Sequence, residues 1–576
     1  MTRRAALLAA ALAVLLSTPV AAAAVGATGG LAPQAGAPSA APPRLTEPAV
    51  LERFLAQPKV ADWLGRYPPR PQTDATFSRE RRSWTVHVWS GAAGEIARGE
   101  VADPSGRVTE AWTGPQVAWR MARGRPGAFG GKTLTSWPVW LGLSAFFLVG
   151  LVDRRRPFGM RTLDLLGLLS FGVSLAFFNR GEVFQSSALA VPSLLYLLVR
   201  MAVVGFRPRP AGRSVLASSW PVWSLAVAAL FLLGFRIGLN VQEGRRVIDV
   251  GYAGVIGADR ILDGRAPYGA MPVTDGLEPC GEPNSEGEIR ERIQANGRCE
   301  SANPRGDTYG PVAYLAYVPS VLVFGWSGTW DELPAAHATA IAFDLLVLAG
   351  LVLVGRRFGG NPLAAALAFG WVAYPFTSYV LLANSNDAIM PALLVWGFWL
   401  ATSAPARGAA VALAAWTKFA ALLVAPLWLT YRSRWRPRRL AAFAGGFGAA
   451  TALAFAVLLL EPSLPEAVQT FWNRTFTFQF DRNSPFSIWD WGQYRAEGIP
   501  DLASLQTVVQ LGAMALAGVV AVVPREKGPV ELAALTAAVL VAFQLSLTHW
   551  FYLYLPWVLP FALLALLLPR VARAES

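Results

Sequence analysis

Apolar residues form long uninterrupted runs over most of this chain and alternate with polar ones only nearer its amino-terminal end. A hydrocarbon core roughly 30 Å thick takes about 17 to 25 helical residues to cross. Runs of that order lie near 137–152, 160–178, 186–205, 217–238, 337–355, 362–382, 387–402, 439–460, 505–523, 529–548 and 551–569. Two more stretches are ambiguous: 312–326 is short for a crossing, and 408–430 is broken at Trp416-Thr417-Lys418. The pattern predicts a mainly α, polytopic transmembrane helical bundle of about 11 to 13 membrane segments. Four helices, over 137–238, lead a larger bundle over 312–569.

Two regions ahead of the bundle read differently. Met1-Thr2-Arg3-Arg4, an apolar run through Val20 and the small residues Ala21 to Ala24 predict a signal peptide or signal anchor over 1–25. Residues 26–44 are an Ala/Pro/Gly-rich linker. From 45 to 128 the chain turns soluble in character. Residues 59–64 read as an amphipathic helix, and Ser83–Trp89, Glu95–Val101 and Arg107–Trp112 alternate as strands around the turn Asp103-Pro104-Ser105-Gly106. A small α+β domain is expected there. His87, between Trp84 and Trp89 on one strand, reads as a structural histidine.

Composition supports the membrane reading. Hydrophobic residues make up 54 % of the chain and charged residues 15 %, against about 25 % charged in a soluble domain. The mean hydropathy is +0.39. The net charge of +13 would suggest nucleic acid in a soluble protein. Here much of the excess sits in short basic loops between apolar runs, where it reports orientation. The clusters Arg154–Arg156, Arg207/Arg209/Arg213, Arg356-Arg357, Arg432–Arg439, Arg525/Lys527 and Arg570/Arg573 are all expected on the cytoplasmic side. They agree when 45–128 lies outside, 312–326 returns to its own side or is balanced, and 408–430 enters and leaves from the cytoplasm as a helical hairpin. Two long segments, 239–311 and 461–502, are then extracytoplasmic. Cys280 and Cys299 fall in the first of them, in an oxidising compartment, where a disulfide is expected.

Long outer loops rich in acids, amides and aromatics point to chemistry rather than passive structure. Asp249 follows an apolar run at the expected interface, where partial desolvation raises a carboxylate's pKa and improves it as a base. No metal-ligand cluster, phosphate-cradling glycine loop or supported Ser/His/Asp set is present, so no cofactor or metal is expected and ATP-driven transport has no support.

Two resemblances extend this reading. Val101-Ala102-Asp103 before the Gly106 turn, with Thr113-Gly114 at the end, resembles PepSY-type domains, small extracytoplasmic modules that bind or regulate partners. Over residues 225 to 569, Asp249 followed by Tyr252, Gly264 and Tyr268, then Tyr309-Gly310-Pro311, Tyr314 and Pro319, resembles the polytopic C-superfamily (GT-C) glycosyltransferases. Leu382-Ala383-Asn384-Ser385-Asn386-Asp387, the Gly408-Ala409-Ala410 helix ending in Lys418, Pro426, and Asn483-Ser484-Pro485 continue the resemblance to family 87, the polyprenol-phosphate-mannose-dependent mannosyltransferases. The four leading spans and the cysteine-bearing insertion lie outside that family's usual core.

What the resemblance implies is transfer of mannose or a similar sugar, with inversion, from a polyprenyl-phosphate donor to a glycan or glycolipid acceptor of the cell envelope. The donor is a substrate and the bilayer the partner; nucleic acid is not. Asp249 is the expected general base and Asp307 its alternate, with Asp481 and Asp490 also open; Asp259 and Asp263, four apart on one helical face, read as a solvated ridge. Arg265, Arg474, Arg482 and His549 are candidates for the leaving phosphate, and Tyr268, Tyr309, Asn386 and Asn483 for substrate binding. His549 reads equally as an aromatic-belt residue. Lys418, costly in a membrane, either reaches the donor or plugs the broken hairpin. Asp344 is a buried carboxylate, paired or functional, and His337 reads as interfacial packing. The competing reading is a non-enzymatic transporter or flippase of lipid-linked glycans, which needs no single essential carboxylate.

Overall fold

A computed structural model describes residues 42–124, 131–207, 219–242, 247–283, 289–330, 333–432, 435–480 and 482–569. The expected signal segment, most of the linker, Arg209 and Arg213, Asp481, Arg570 and Arg573 lie outside the described residues. The chain divides into two compact units.

The smaller unit gathers the chain up to residue 125 with 173–188 and 484–506. Its sheet holds four antiparallel strands in sequence order: β1 (Gln72–Ser78), β2 (Ser83–Trp89), β3 (Glu95–Ala102) and β4 (Val108–Thr113). Helices Glu47–Leu55 and Pro58–Leu64 supply Val50, Phe54, Val60 and Trp63 to a core shared with Val86, Val88, Ile96 and Val101. Asp103 is fully enclosed and satisfied. It accepts from the Arg44 and Leu45 amides and from Trp84 Nε1, and pairs with Arg82 at 3.0 Å. The later segments complete this core, with Tyr67 Oη donating to the Tyr494 carbonyl at 2.8 Å and Phe184 lying between Trp63 and Trp491. Part of the expected second loop, from Ser484 on, therefore belongs to this unit. His87 lies 2.5 Å from Glu95 and stacks on Trp89.

The larger unit is helical. Seven helices among the described residues are long and apolar enough to cross a membrane: Met160–Phe178, Val183–Phe206, Val222–Gln242, Pro334–Ala373, Pro437–Leu460, Ala503–Val522 and Pro529–Ser546. Fewer qualify than the apolar runs announce because turns interrupt several runs. The 387–402 run yields only Ile389–Trp399, following the polar turn at Asn384–Asp387, and Trp137–Leu151 is 15 residues long. Conversely, the 40-residue run Pro334–Ala373 is two helices folded back on each other. Gly360 takes φ +68° just before Pro362, and a Cβ on Gly355 would stand 2.4 Å from the Ala364 backbone. Trp371 Nε1 donates to Asp344 Oδ1 across the arms at 2.8 Å, and Arg236 pairs with the same carboxylate. Asp344 is thus a paired structural acid, as an intramembrane charge requires.

Residues 404–430 form a second hairpin. Arg407, near its start, donates from Nε to the Trp428 carbonyl at 3.1 Å and from Nη2 to the Tyr431 carbonyl at 2.9 Å, tying the two ends together. Trp416-Thr417-Lys418 is its tip. Helices Ala404–Ala415 and Pro437–Phe455 approach at glycines: a Cβ on Gly408 would lie 2.1 Å from the Phe443 carbonyl, and one on Gly446 2.1 Å from that of Pro405. Small residues at such crossings let helices pack where lipid supplies no hydrophobic driving force.

Candidate functional site

Four segments distant in sequence meet around Asp249, all within the larger unit. Asp249 is the first residue of helix Asp249–Leu262, whose entry is anchored by the Ile248 amide donating to the Ala383 carbonyl at 3.2 Å. Gly251 is needed one turn in: its Cβ position lies 2.2 Å from the Asn384 carbonyl oxygen. Asn384 itself holds φ +50° in a polar turn that projects Asn386 and Asp387. The second segment is Tyr309-Gly310-Pro311. A Cβ on Gly310 would lie 2.1 Å from the Trp416 carbonyl, and the Val312 amide donates to that oxygen at 3.0 Å, so the loop is seated on the hairpin tip.

The tip delivers Lys418. Its Nζ lies 3.3 Å from Asp387 Oδ1 and 4.2 Å from the Tyr309 ring centre, with Trp557 on another side. Asp387 also accepts from Trp557 Nε1 at 3.0 Å and from the Ser385 hydroxyl. Lysine and aspartate thus neutralise each other in a site where neither could remain charged alone. The last segment is the connection around His549. Gln544 shapes it, donating from Nε2 to the Tyr554 carbonyl at 2.8 Å and accepting from Trp550 Nε1 at 3.1 Å.

Asp249 differs from Asp307, Asp344 and Asp387. Solvent reaches it, yet protein crowds its carboxylate, so it lines a recess rather than an outer face. No side-chain hydrogen bond to it is formed among the described residues; its own helix contributes the Val250 amide. Burial pushes its pKa above the usual carboxylate value, while the Val250 amide, Arg482 and Lys418 pull the other way and Asp387 adds to the rise. His549 is pushed well below the ordinary imidazole value by burial, with Arg482 and Lys418 acting in the same direction. At neutral pH it is therefore an uncharged hydrogen-bonding group. Tyr309 and Tyr554 feel the charges of Asp249, Asp387 and Arg482 and belong to the same recess.

The structure thus brings Asp249, Tyr309, Asn386, Lys418, Arg482 and His549 into one neighbourhood. Asn386 Oδ1 is enclosed there without a hydrogen-bond partner among the described residues. Other candidates are placed elsewhere. Asp307 is fully buried and occupied, taking Arg474 Nε at 2.7 Å and the Gly269 amide at 2.8 Å. Arg474 and Asp307 form a structural pair. Tyr268 donates to the Tyr309 carbonyl at 3.0 Å and packs on Tyr314 and Phe471, supporting the loop rather than facing the recess. Asn483 is exposed. Asp490 accepts from the Ser484 amide within the smaller unit. Arg265, Asp259 and Asp263 line a separate polar cleft. His337 hydrogen-bonds Asn240 at 2.8 Å and lies 3.5 Å from Asn384, under the polar turn. Cys280 and Cys299 are joined in a disulfide beside the short hairpin β5 (Glu291–Ile293) and β6 (Cys299–Ser301).

Tyr554 and Trp557, which nothing in the sequence singles out, complete the neighbourhood with Asp387, which the sequence offers only as the end of the Leu382–Asp387 run. One signal for Asp387 exists: an intramembrane lysine requires an acid, and Asp387 ends the one polar run within a long apolar stretch. No group of three or more His, Cys, Asp or Glu among the described residues is arranged to hold a metal ion. No family model matches this chain, and neither the curated proteins nor the solved structures include a match to it.

Proposed function

We propose that this protein is a membrane glycosyltransferase that moves a sugar from a polyprenyl-phosphate donor onto an acceptor hydroxyl, at the outer face of the membrane, with Asp249 as general base. The observation that carries the reading is the contrast between Asp249 and its neighbours. Asp307, Asp344 and Asp387 are each matched to a cation. Asp249 alone of these is open to solvent within a crowded recess, with its pKa raised by burial.

The chemistry follows from that arrangement. Asp249 takes the acceptor proton as the acceptor oxygen attacks the anomeric carbon. A carbon–oxygen bond forms on one face while the bond to the phosphate oxygen breaks on the other, which inverts the centre. The electron pair leaves on the polyprenyl phosphate. Arg482, whose field reaches Asp249 and His549, is placed to stabilise that charge, and neutral His549 to donate a hydrogen bond. Lys418 is neutralised by Asp387, so its role is to hold Tyr309 and the polar turn in place.

The decisive measurement is sugar transfer in membranes from polyprenyl-phosphate-mannose and polyprenyl-phosphate-arabinose, comparing wild type with Asp249→Asn. Loss by roughly a hundred- to ten-thousand-fold with the fold retained supports the base assignment. Undiminished transfer by the variant removes it. Movement of the lipid-linked sugar across the bilayer without transfer favours the flippase reading.

A further inference from the structure

A second opening lies at the other end of the helix that begins with Asp249. This cleft of about 320 Å³ is lined by the carboxyl-terminal part of helix Asp249–Leu262 and by the segment carrying Cys299. Three carboxylates, Asp259, Asp263 and Glu300, alternate there with three guanidinium groups, Arg260, Arg265 and Arg298. Asp259 stands ten residues beyond Asp249, about 15 Å along a helix rising 1.5 Å per residue.

We propose that this cleft binds a neutral oligosaccharide, the acceptor glycan of the transfer reaction; its role as acceptor site rests on the transferase reading above. Charge selects the class. Three acids and three arginines sum to zero, so an anion or a cation meets as much repulsion as attraction. A sugar hydroxyl both donates and accepts, and it satisfies carboxylates and guanidinium groups in turn. A bound cation fits poorly, because Arg298 already occupies the space between the acids, 3.1 Å from Asp259, 3.7 Å from Asp263 and 3.9 Å from Glu300.

The lining also has unspent hydrogen-bonding capacity. The side chains of Arg298 and Asp263 are 52 % and 55 % exposed. The Arg265 side chain makes no hydrogen bond or ion pair with a described residue and is exposed. Trp326 contributes an aromatic surface, and its Nε1 has no hydrogen-bond partner among the described residues. Arg260, by contrast, is committed to the Ala266 and Ala270 carbonyls and keeps the cleft wall in place.

The test is binding of mannotetraose and arabinotetraose to the full chain in detergent, followed by saturation-transfer NMR with no donor present. Because no transfer is needed, a failed base assignment at Asp249 leaves this result untouched, and the reverse also holds. At least one tetrasaccharide is expected to bind, and Arg298→Gln and Asp263→Asn each to weaken it about tenfold, the worth of one hydrogen bond to a charged group. Asp263 is exposed, so its variant folds even where loss of Arg298 disturbs the ion pairs. The proposal is overturned by two inert tetrasaccharides, or by Asp263→Asn binding as tightly as wild type.

Discussion

Lys418 Nζ and Asp387 Oδ1 stand 3.3 Å apart, one at the tip of a hairpin and the other at the end of a polar turn, with both side chains almost wholly buried. Removing one partner leaves a buried charge unmatched, which costs about 3 to 5 kcal/mol. Lys418→Met and Asp387→Asn are each expected to lower the unfolding midpoint in detergent strongly. The double variant recovers part of the stability, since no lone charge remains, but not the transfer activity. A double variant no more stable than either single one argues against the pair.

Asp249 makes the opposite prediction. Its pKa in the folded chain is raised, so folding with the ionised carboxylate is disfavoured above the unfolded-state value. At neutral pH Asp249→Asn is therefore expected to unfold at a higher temperature than wild type while losing transfer. A structural acid would show loss of both.

The same shift sets the acid limb of activity. A base must be deprotonated, so kcat/KM falls as pH drops through the raised pKa of Asp249, above the ordinary carboxylate value. Arg482 pulls that pKa down. Arg482→Gln therefore moves the acid limb upward. A pH–rate profile distinguishes this from simple loss of phosphate binding, which lowers the rate without moving the limb.

Two glycines act as spacers. The Cβ added by Gly310→Ala would stand 2.1 Å from the Trp416 carbonyl, and that of Gly251→Ala 2.2 Å from the Asn384 carbonyl. Backbone cannot yield as a flexible side chain can, so each variant is expected to lose about 1 to 3 kcal/mol. Transfer should fall further than stability, because both contacts set the height of the recess walls.

Cys280→Ser frees the segment up to Cys299, nineteen positions on. Closing a loop of that order contributes about 3 kcal/mol. Limited proteolysis is expected to cut between the two positions in the variant and in reduced wild type, with the helices intact. Equal resistance in all forms would show that the neighbouring hairpin holds the segment without the bond.

The bundle was legible because run length and breaks are one-dimensional signals. The interruption at Trp416-Thr417-Lys418 announced the hairpin, and Arg407 closes it as a hairpin of that register requires. Several helices proved shorter than their apolar runs, since hydropathy does not see where Asn384 or Gly360 turns the backbone. β1 left little trace: of its seven residues only Ala75 is buried, so no alternation marks it. In the site, single residues were readable and partnerships were not. Asp307 offered the same credentials as Asp249, and only the placement of Arg474 separates a bound acid from an open one.

The ring of contacts around Lys418 is closed by Trp557, which lies in the last helix described, Leu555–Leu567. In the order of synthesis Asp249 comes first, Asp387 and Lys418 follow, and the indole that contacts this pair comes after both. Until that helix docks, the lysine and aspartate face each other without the hydrogen bond that Trp557 Nε1 gives to Asp387.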